Sequence, residues 1–231
     1  MSANQTAGFS IVSYTGDEAN NATVGHGLGK SPDMVIIKDR DSNSAGNNWY
    51  VFHSAFTSGH YGKLNSTSAS SAVSGTSNGG VGSVTSTTFN FIQGSSNNKN
   101  VNESGDKFIA YCWTSILGYS KFGSYEGNDD DGTFVYCGFK PAFVMVKNID
   151  AINSWYMHDS SRTSTNPSND YLEANSNAIE TTATTVMDIL SNGFKLRNGS
   201  YDGYNGDYTY VFAAFAESPM NNLYGAQSNA R

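Results

Sequence analysis

Charge is scarce in this sequence. Lys and Arg together number 13 and Asp and Glu 20, which makes 14% of 231 residues, against about a quarter in an ordinary globular chain. The balance is acidic, at −7, and no stretch clusters Lys and Arg. That excludes the usual electrostatic footprint for nucleic acid or for an anionic membrane, both of which need grouped cations. Apolar runs are short. None approaches the roughly 20 residues of a membrane-crossing helix, so no membrane insertion is expected. The opening MSANQTAGFS has neither a basic stretch nor an apolar core, so no secretory leader is read there.

The reactive residues are just as sparse. Only two cysteines occur, Cys112 and Cys137. Each lies in an apolar run, and two buried free thiols are expected in preference to a disulfide. Four histidines, His26, His53, His60 and His158, lack the tight spacing of a zinc site. His53 and His158 fall in matching segments but one residue out of step, which predicts opposite faces. No GxSxG elbow, no Cys–His arrangement and no distinguished acid pair is found. The sequence therefore offers no catalytic residue and no cofactor, and a non-enzymatic role is expected.

Ser, Thr, Asn and Gly supply the polarity, and 14 Tyr with 13 Phe supply much of the apolar bulk. That is the composition of strands joined by turns. The pattern also repeats. PDMVIIKDRDSNSAGNNWYVFHS (residues 32–54) is echoed by PAFVMVKNIDAINSWYMHDS (141–160): Pro, an apolar run, Lys, a polar loop with Asp, Trp-Tyr, and a closing Ser. Lys38 matches Lys147, Asp41 matches Asp150, Trp49 matches Trp155, Gly16 matches Gly127, and residues 108–113 are answered by 208–216. The expected fold is all-β: two tandem pseudo-repeat antiparallel β-sandwich units, jelly-roll or concanavalin-like in strand pattern, packed together. The boundaries read as a flexible arm at 1–8, a first sandwich at 9–118, a second at 119–219 and a polar tail at 220–231. Met34–Ile37 is continuously apolar and predicts a strand covered on both faces. Residues 65–86 read as a long exposed polar loop.

Candidate sites follow from residue type. Tyr201, Tyr204 and Asn205, in NGSYDGYNGDY, combine aromatic platforms with a planar hydrogen bonder, the means by which proteins grip sugars. Asp129, Asp130 and Asp131 form the densest acidic cluster and a weak calcium candidate. Asp39, Asp41, Asn43 and Gly46 have a calcium-loop look, but Tyr50 stands where a bidentate acid belongs, so an Asx-rich turn is preferred. In the tail, Met220, Leu223 and Tyr224 present a small apolar face suited to assembly contacts.

The segments GFSIVSYTG, VGHGLGKSPDMVIIKDR and NWYVFHS, followed by GDKFIAYCW, GYSKFGSYEGN, FVYCGFKPAFVMVKN, WYMHDS, SNGFKLR and YVFAAFAESP, resemble a duplicated β-rich domain. That domain recurs in structural and tail-fibre-like proteins of marine bacteriophages, cyanophages included. The resemblance spans about residues 8–219 and carries no functional residues over. It implies a virion surface protein, made in the host cytoplasm: a decoration, knob or fibre-head module, homo-oligomeric and in contact with other virion proteins. A carbohydrate-binding adhesin for host surface glycan is the alternative, and a glycan-cleaving enzyme the third reading.

Overall fold

The computed structural model describes residues 1–41, 48–73, 79–92, 99–197, 199 and 201–218. The chain is all-β and antiparallel, and it divides into two compact units. One comprises Met1–Asn65 and Ser70–Thr114; the other comprises Ser66–Ala69 and Ser115–Arg231.

The first unit contains β1 (Ser2–Asn4), β2 (Phe9–Thr15), β3 (Thr23–Gly25), β4 (Met34–Asp39), β5 (Trp49–His53), β6 (His60–Lys63), β7 (Ser71–Ala72), β8 (Gly80–Val84), β9 (Thr88–Ile92), the single turn of helix α1 (Lys99–Asn102) and β10 (Lys107–Trp113). One sheet runs β1-β2-β10-β4-β5-β6-β7 and a smaller one β3-β9-β8. Period-two alternation decides what faces inward. Val12, Val35, Ile37, Tyr50, Phe108, Ala110 and Cys112 of the large sheet meet Val81, Phe89 and Phe91 of the small one in a single apolar core. Met34, Val35, Ile36 and Ile37 are all buried, as their unbroken apolar run predicts.

The second unit contains β11 (Ser120–Glu126), β12 (Phe134–Tyr136), β13 (Pro141–Asn148), β14 (Trp155–Asp159), β15 (Ser168–Glu173), β16 (Thr181–Leu190), β17 (Gly193–Leu196) and β18 (Thr209–Ala216). Its strands form one run, β11-β18-β13-β14-β15-β16-β17-β12. The core draws Tyr125, Val144, Val146, Tyr156, Phe212 and Ala214 from one end of that run. Val135, Val186, Met187, Phe194 and Leu196 come from the other.

The pairing order of the first unit recurs in the second. β2-β10-β4-β5-β6 corresponds to β11-β18-β13-β14-β15, and β3-β9-β8 to β12-β17-β16. The registers agree as well. Lys38 lies opposite Trp49 and Ile109, and Ile109 opposite Ser13; Lys147 lies opposite Trp155 and Val211, and Val211 opposite Ser124. Each lysine turns its Nζ onto the carbonyl of the next residue, Asp39 or Asn148.

Two sequence expectations are corrected. Residues 1–8, read as a flexible arm, supply the edge strand β1, which pairs Ser2 with Ile11 and Asn4 with Phe9. Edge pairing needs backbone groups only, so the polar side chains hid it; the turn closes with the Ala7 N–H donating to Asn4 Oδ1 at 3.0 Å. Residues 65–86, read as an exposed loop, include β7 and β8, and Val81 is buried in the core. Glycine and serine concealed that strand because Gly80 and Gly82 sit where side chains crowd: an added Cβ would meet Val73 at 2.9 Å and Ile92 at 2.4 Å. The segment between β9 and β10 carries α1, with Val101 fully buried. No helix among the described residues is long and apolar enough to cross a membrane.

Candidate functional site

Each unit fastens the loop before its last strand onto the end of β2 or of β11 with the same set of contacts. In the first unit the Tyr14 hydroxyl donates to the Val101 carbonyl at 2.6 Å. The Gly16 N–H donates to Asp106 O at 2.9 Å, and the Glu18 N–H to Asn102 O at 2.8 Å. The Asn102 side chain donates to Asp17 Oδ1 at 2.8 Å. In the second unit the Tyr125 hydroxyl donates to Tyr204 O at 2.7 Å. The Gly127 N–H donates to Tyr208 O and the Asp129 N–H to Asn205 O, both at 2.9 Å, and the Asn205 side chain donates to Asn128 Oδ1 at 3.2 Å. The tyrosine rings stack on the last strand in both: Tyr14 on Phe108 at 5.2 Å, Tyr125 on Tyr210 at 5.0 Å. Burial pushes both phenols well above their ordinary range, so they remain donors. The glycines are sterically required: a Cβ at Gly16 would stand 2.0 Å from Glu103 O, and one at Gly127 would stand 2.0 Å from Gly206 O.

This geometry corrects the sugar-platform expectation. Tyr204 and Asn205 are 1% and 0% exposed. They hold the positions of Val101 and Asn102, and they close the corner of the sandwich. Only Tyr201 reaches the surface, at 40%. The sequence could not separate them, because three aromatic-or-amide residues in a Gly/Asp-rich loop look alike until the buried Tyr125 hydroxyl selects one carbonyl. Inside the corner, Tyr204 Oη and His158 Nε2 are 2.9 Å apart, and Tyr156 and Tyr201 share a hydroxyl pair at 2.9 Å. His158 faces its core, opposite Val144, whereas His53 lies opposite Met34 on the other face of its sheet. Tyr204→Phe is expected to cost about 1–3 kcal/mol in urea unfolding, because it strips His158 of a buried partner. Tyr201→Phe is expected to cost under about 1 kcal/mol, since that side chain is 40% exposed.

The acidic candidates are turns. Asn128 Oδ1 accepts from the Asp130 N–H at 3.0 Å and from the Thr133 hydroxyl at 2.9 Å. Asp130 Oδ1 accepts from the Asp131 N–H at 2.8 Å, and Asp131 faces Arg197 at 3.6 Å. Asp39 Oδ1 accepts from the Asp41 N–H at 2.9 Å, while Asp41 Oδ2 accepts from the Lys107 N–H at 3.1 Å. Asn148 and Asp150 do the same in the second unit, with the Thr209 N–H as donor at 2.8 Å. No group of three His, Cys, Asp or Glu among the described residues could hold a metal ion. Asn43, Gly46, Met220, Leu223 and Tyr224 lie outside the described residues. Both cysteines are free and buried, and burial raises each thiol to about 12.

The second unit also has a feature that residue reading missed. β11 and β12 end its run of strands, and each pairs on one side only. Between them lies a slot of about 260 Å³ lined by Lys121, Gly123, Ser124, Phe134, Tyr136 and Phe212 among others. Phe134 and Tyr136 are 45% and 58% exposed, while Val135 between them is buried. The signal was there in FVYC, where large apolar residues occupy both faces of a three-residue strand. Alternation alone cannot say which face is the core when both are apolar.

No curated protein and no solved structure matches this chain. One family does match, over residues 1–219, nearly the whole sequence and both units: it is described as a domain of unknown function, DUF7483, and the chain belongs to it.

Proposed function

We propose that this protein is a non-enzymatic structural module of a virion surface, a decoration, knob or fibre-head piece. The observation that carries the reading is how its polar side chains are spent. Tyr14, Tyr125, Asn102, Asn205 and Tyr204 converge, but on groups of their own unit: backbone carbonyls for Tyr14 and Tyr125, and the side chains of Asp17, Asn128 and His158 for Asn102, Asn205 and Tyr204. They lock each sandwich corner, and among the described residues none of them is an acid, base or nucleophile set toward a substrate. Such closed, turn-locked sandwiches suit a particle exterior, where resistance to proteolysis matters and fast chemistry does not. The phage resemblance of the sequence points the same way. Immunogold labelling and mass spectrometry of purified particles test it. The chain is expected in intact virions at a fixed copy number; recovery only from the soluble fraction of infected cells would overturn the proposal.

A second reading, a carbohydrate-binding adhesin, is favoured by one observation, the exposed aromatic slot between β11 and β12. It is compatible with the first, since a particle-surface module can also be the part that touches the host.

A further inference from the structure

The slot is not a requirement of the fold. The same place in the first unit is built differently. By register, Val12 stands where the second unit has Gly123, and Ala110 where it has Phe212. Thr23 and Gly25 stand where it has Phe134 and Tyr136, since Val24 pairs with Phe89 as Val135 pairs with Phe194. The first unit therefore closes this side with small residues and further covers the edge of β2 with β1. The second unit exchanges the valine–alanine pair for glycine and phenylalanine. That lays the Phe212 ring under the bare Gly123 backbone, 3.1 Å from where a Cβ would be. It also sets two exposed aromatic rings beside it.

One cation stands in the slot. Lys121 Nζ donates to the Tyr136 carbonyl at 2.6 Å and lies 5.1 Å from the centre of the Tyr136 ring. An ammonium group has three donors, so two remain after that bond. Among the described residues, no carboxylate stands within ion-pair distance of Lys121. In a chain of net charge −7, a lysine at a binding-sized opening with spare donors and no acid is an anion acceptor in search of an anion. The neighbouring surfaces are ring faces and the Ser124 hydroxyl. A volume of about 260 Å³ lies just under the roughly 300 Å³ at which pockets begin to take drug-sized ligands, so it suits a single ring.

Resting on the adhesin reading, we propose that the β11–β12 slot of the second unit binds one acidic sugar residue of a surface polysaccharide, a hexuronate. The apolar face of its ring stacks on Phe134 and Tyr136, and its carboxylate is held by Lys121. Neutral sugars lack the carboxylate and bind more weakly. A free carboxylate without the ring lacks the stacking.

The test is a titration of the full chain, followed by NMR of its aromatic side chains, with sodium D-glucuronate, D-glucose and sodium acetate as probes. Glucuronate is expected to shift the Phe134 and Tyr136 ring signals, with an affinity about tenfold above that of glucose, the effect of one charge-assisted hydrogen bond. Acetate is expected to leave the rings unmoved. Lys121→Gln is expected to abolish the preference while glucose binding persists. Phe134→Ala and Tyr136→Ala, both at exposed positions, are expected to abolish binding of both sugars while Cys137 stays unreactive, which shows that the unit is folded. Equal shifts with glucose and glucuronate would overturn the acidic-sugar assignment while leaving an adhesin that reads neutral glycan. No shift with either sugar, or sedimentation showing that the slot is occupied by a second copy of the chain, would overturn the site altogether.

Discussion

Replacing Gly127 by alanine is expected to cost the second unit more than about 3 kcal/mol. The added methyl has nowhere to go. It would stand 2.0 Å from the Gly206 carbonyl oxygen and 2.9 Å from the Asn205 carbonyl carbon, and these are backbone atoms held by the Tyr125 and Asn205 bonds. Relief requires the loop at 204–208 to lift from β11, which breaks the bonds of Gly127 and Asp129 to that loop. Overpacking of this kind costs about 1–3 kcal/mol when side chains can yield, and more when backbone must move. Gly16→Ala is expected to act alike in the first unit, against Glu103 O. The two free cysteines report on the units separately, because Cys112 belongs to the first core and Cys137 to the second. Both thiols are held up at about 12 by burial, so reaction with a thiol reagent near neutral pH is slow until a core opens. Gly127→Ala is expected to accelerate Cys137 labelling by two orders of magnitude or more, and Gly16→Ala to do the same for Cys112. Cys137 labelling unchanged in Gly127→Ala would show that the corner is not the lock described above.

Acidification is expected to weaken the second unit in a window set by His158. This imidazole is fully buried, with its Nε2 against Tyr204 Oη. Burial is the largest influence and holds its pKa down at about 4. Asp159 and Asp170 oppose that shift, and Arg162 adds to it. The unfolded chain binds the proton at about 6.5. Between those values the unfolded state carries more protons than the folded one, so stability rises with pH. The contribution is complete above about 6.5 and is lost progressively as pH falls toward 4. Over that span it amounts to about 3 kcal/mol. His158→Gln retains a polar partner for Tyr204 and removes the titration. Urea unfolding monitored through Cys137 accessibility is expected to show a steep decline from pH 7 to pH 4.5 in the native sequence and a markedly flatter one in His158→Gln. His26 in the first unit is also buried and its pKa lowered, by burial above all, with the Thr85 carbonyl opposing. The same measurement through Cys112 therefore remains pH-dependent in His158→Gln. Identical pH profiles for the native and His158→Gln proteins at Cys137 would refute the assignment.

Much of the fold was legible because the strands announce themselves by what they must bury. MVII cannot be an amphipathic strand, and it is buried throughout. FSIVSY alternates, and Val12 goes inward while Ser13 goes outward. Matching Lys38 with Lys147 and Trp49 with Trp155 along the sequence places each lysine opposite its tryptophan in the sheet. Spacing along a strand transmits directly into cross-strand register, because the side-chain period is two and a slip of one residue would expose the core. The one-residue offset between His53 and His158 put them on opposite faces for the same reason.

What residue order could not decide is whatever depends on atoms distant along the chain. Tyr201 and Tyr204 differ by three positions in one loop, yet one is exposed and the other fully buried. The difference is made by Tyr125, 79 residues away. The edge strand β1 joins its sheet by backbone pairing, to which side-chain pattern is blind. The β11–β12 slot exists because two strand ends, separated in the pairing order by the whole width of the sheet, stand across from each other. It also exists because Gly123 leaves its half of that gap unfilled. Local pattern determines which faces are apolar, since burial is a property of each residue's own side chain. Only the tertiary structure decides which apolar face finds a cover and which is left to meet a ligand, since that depends on which strands the chain brings opposite one another.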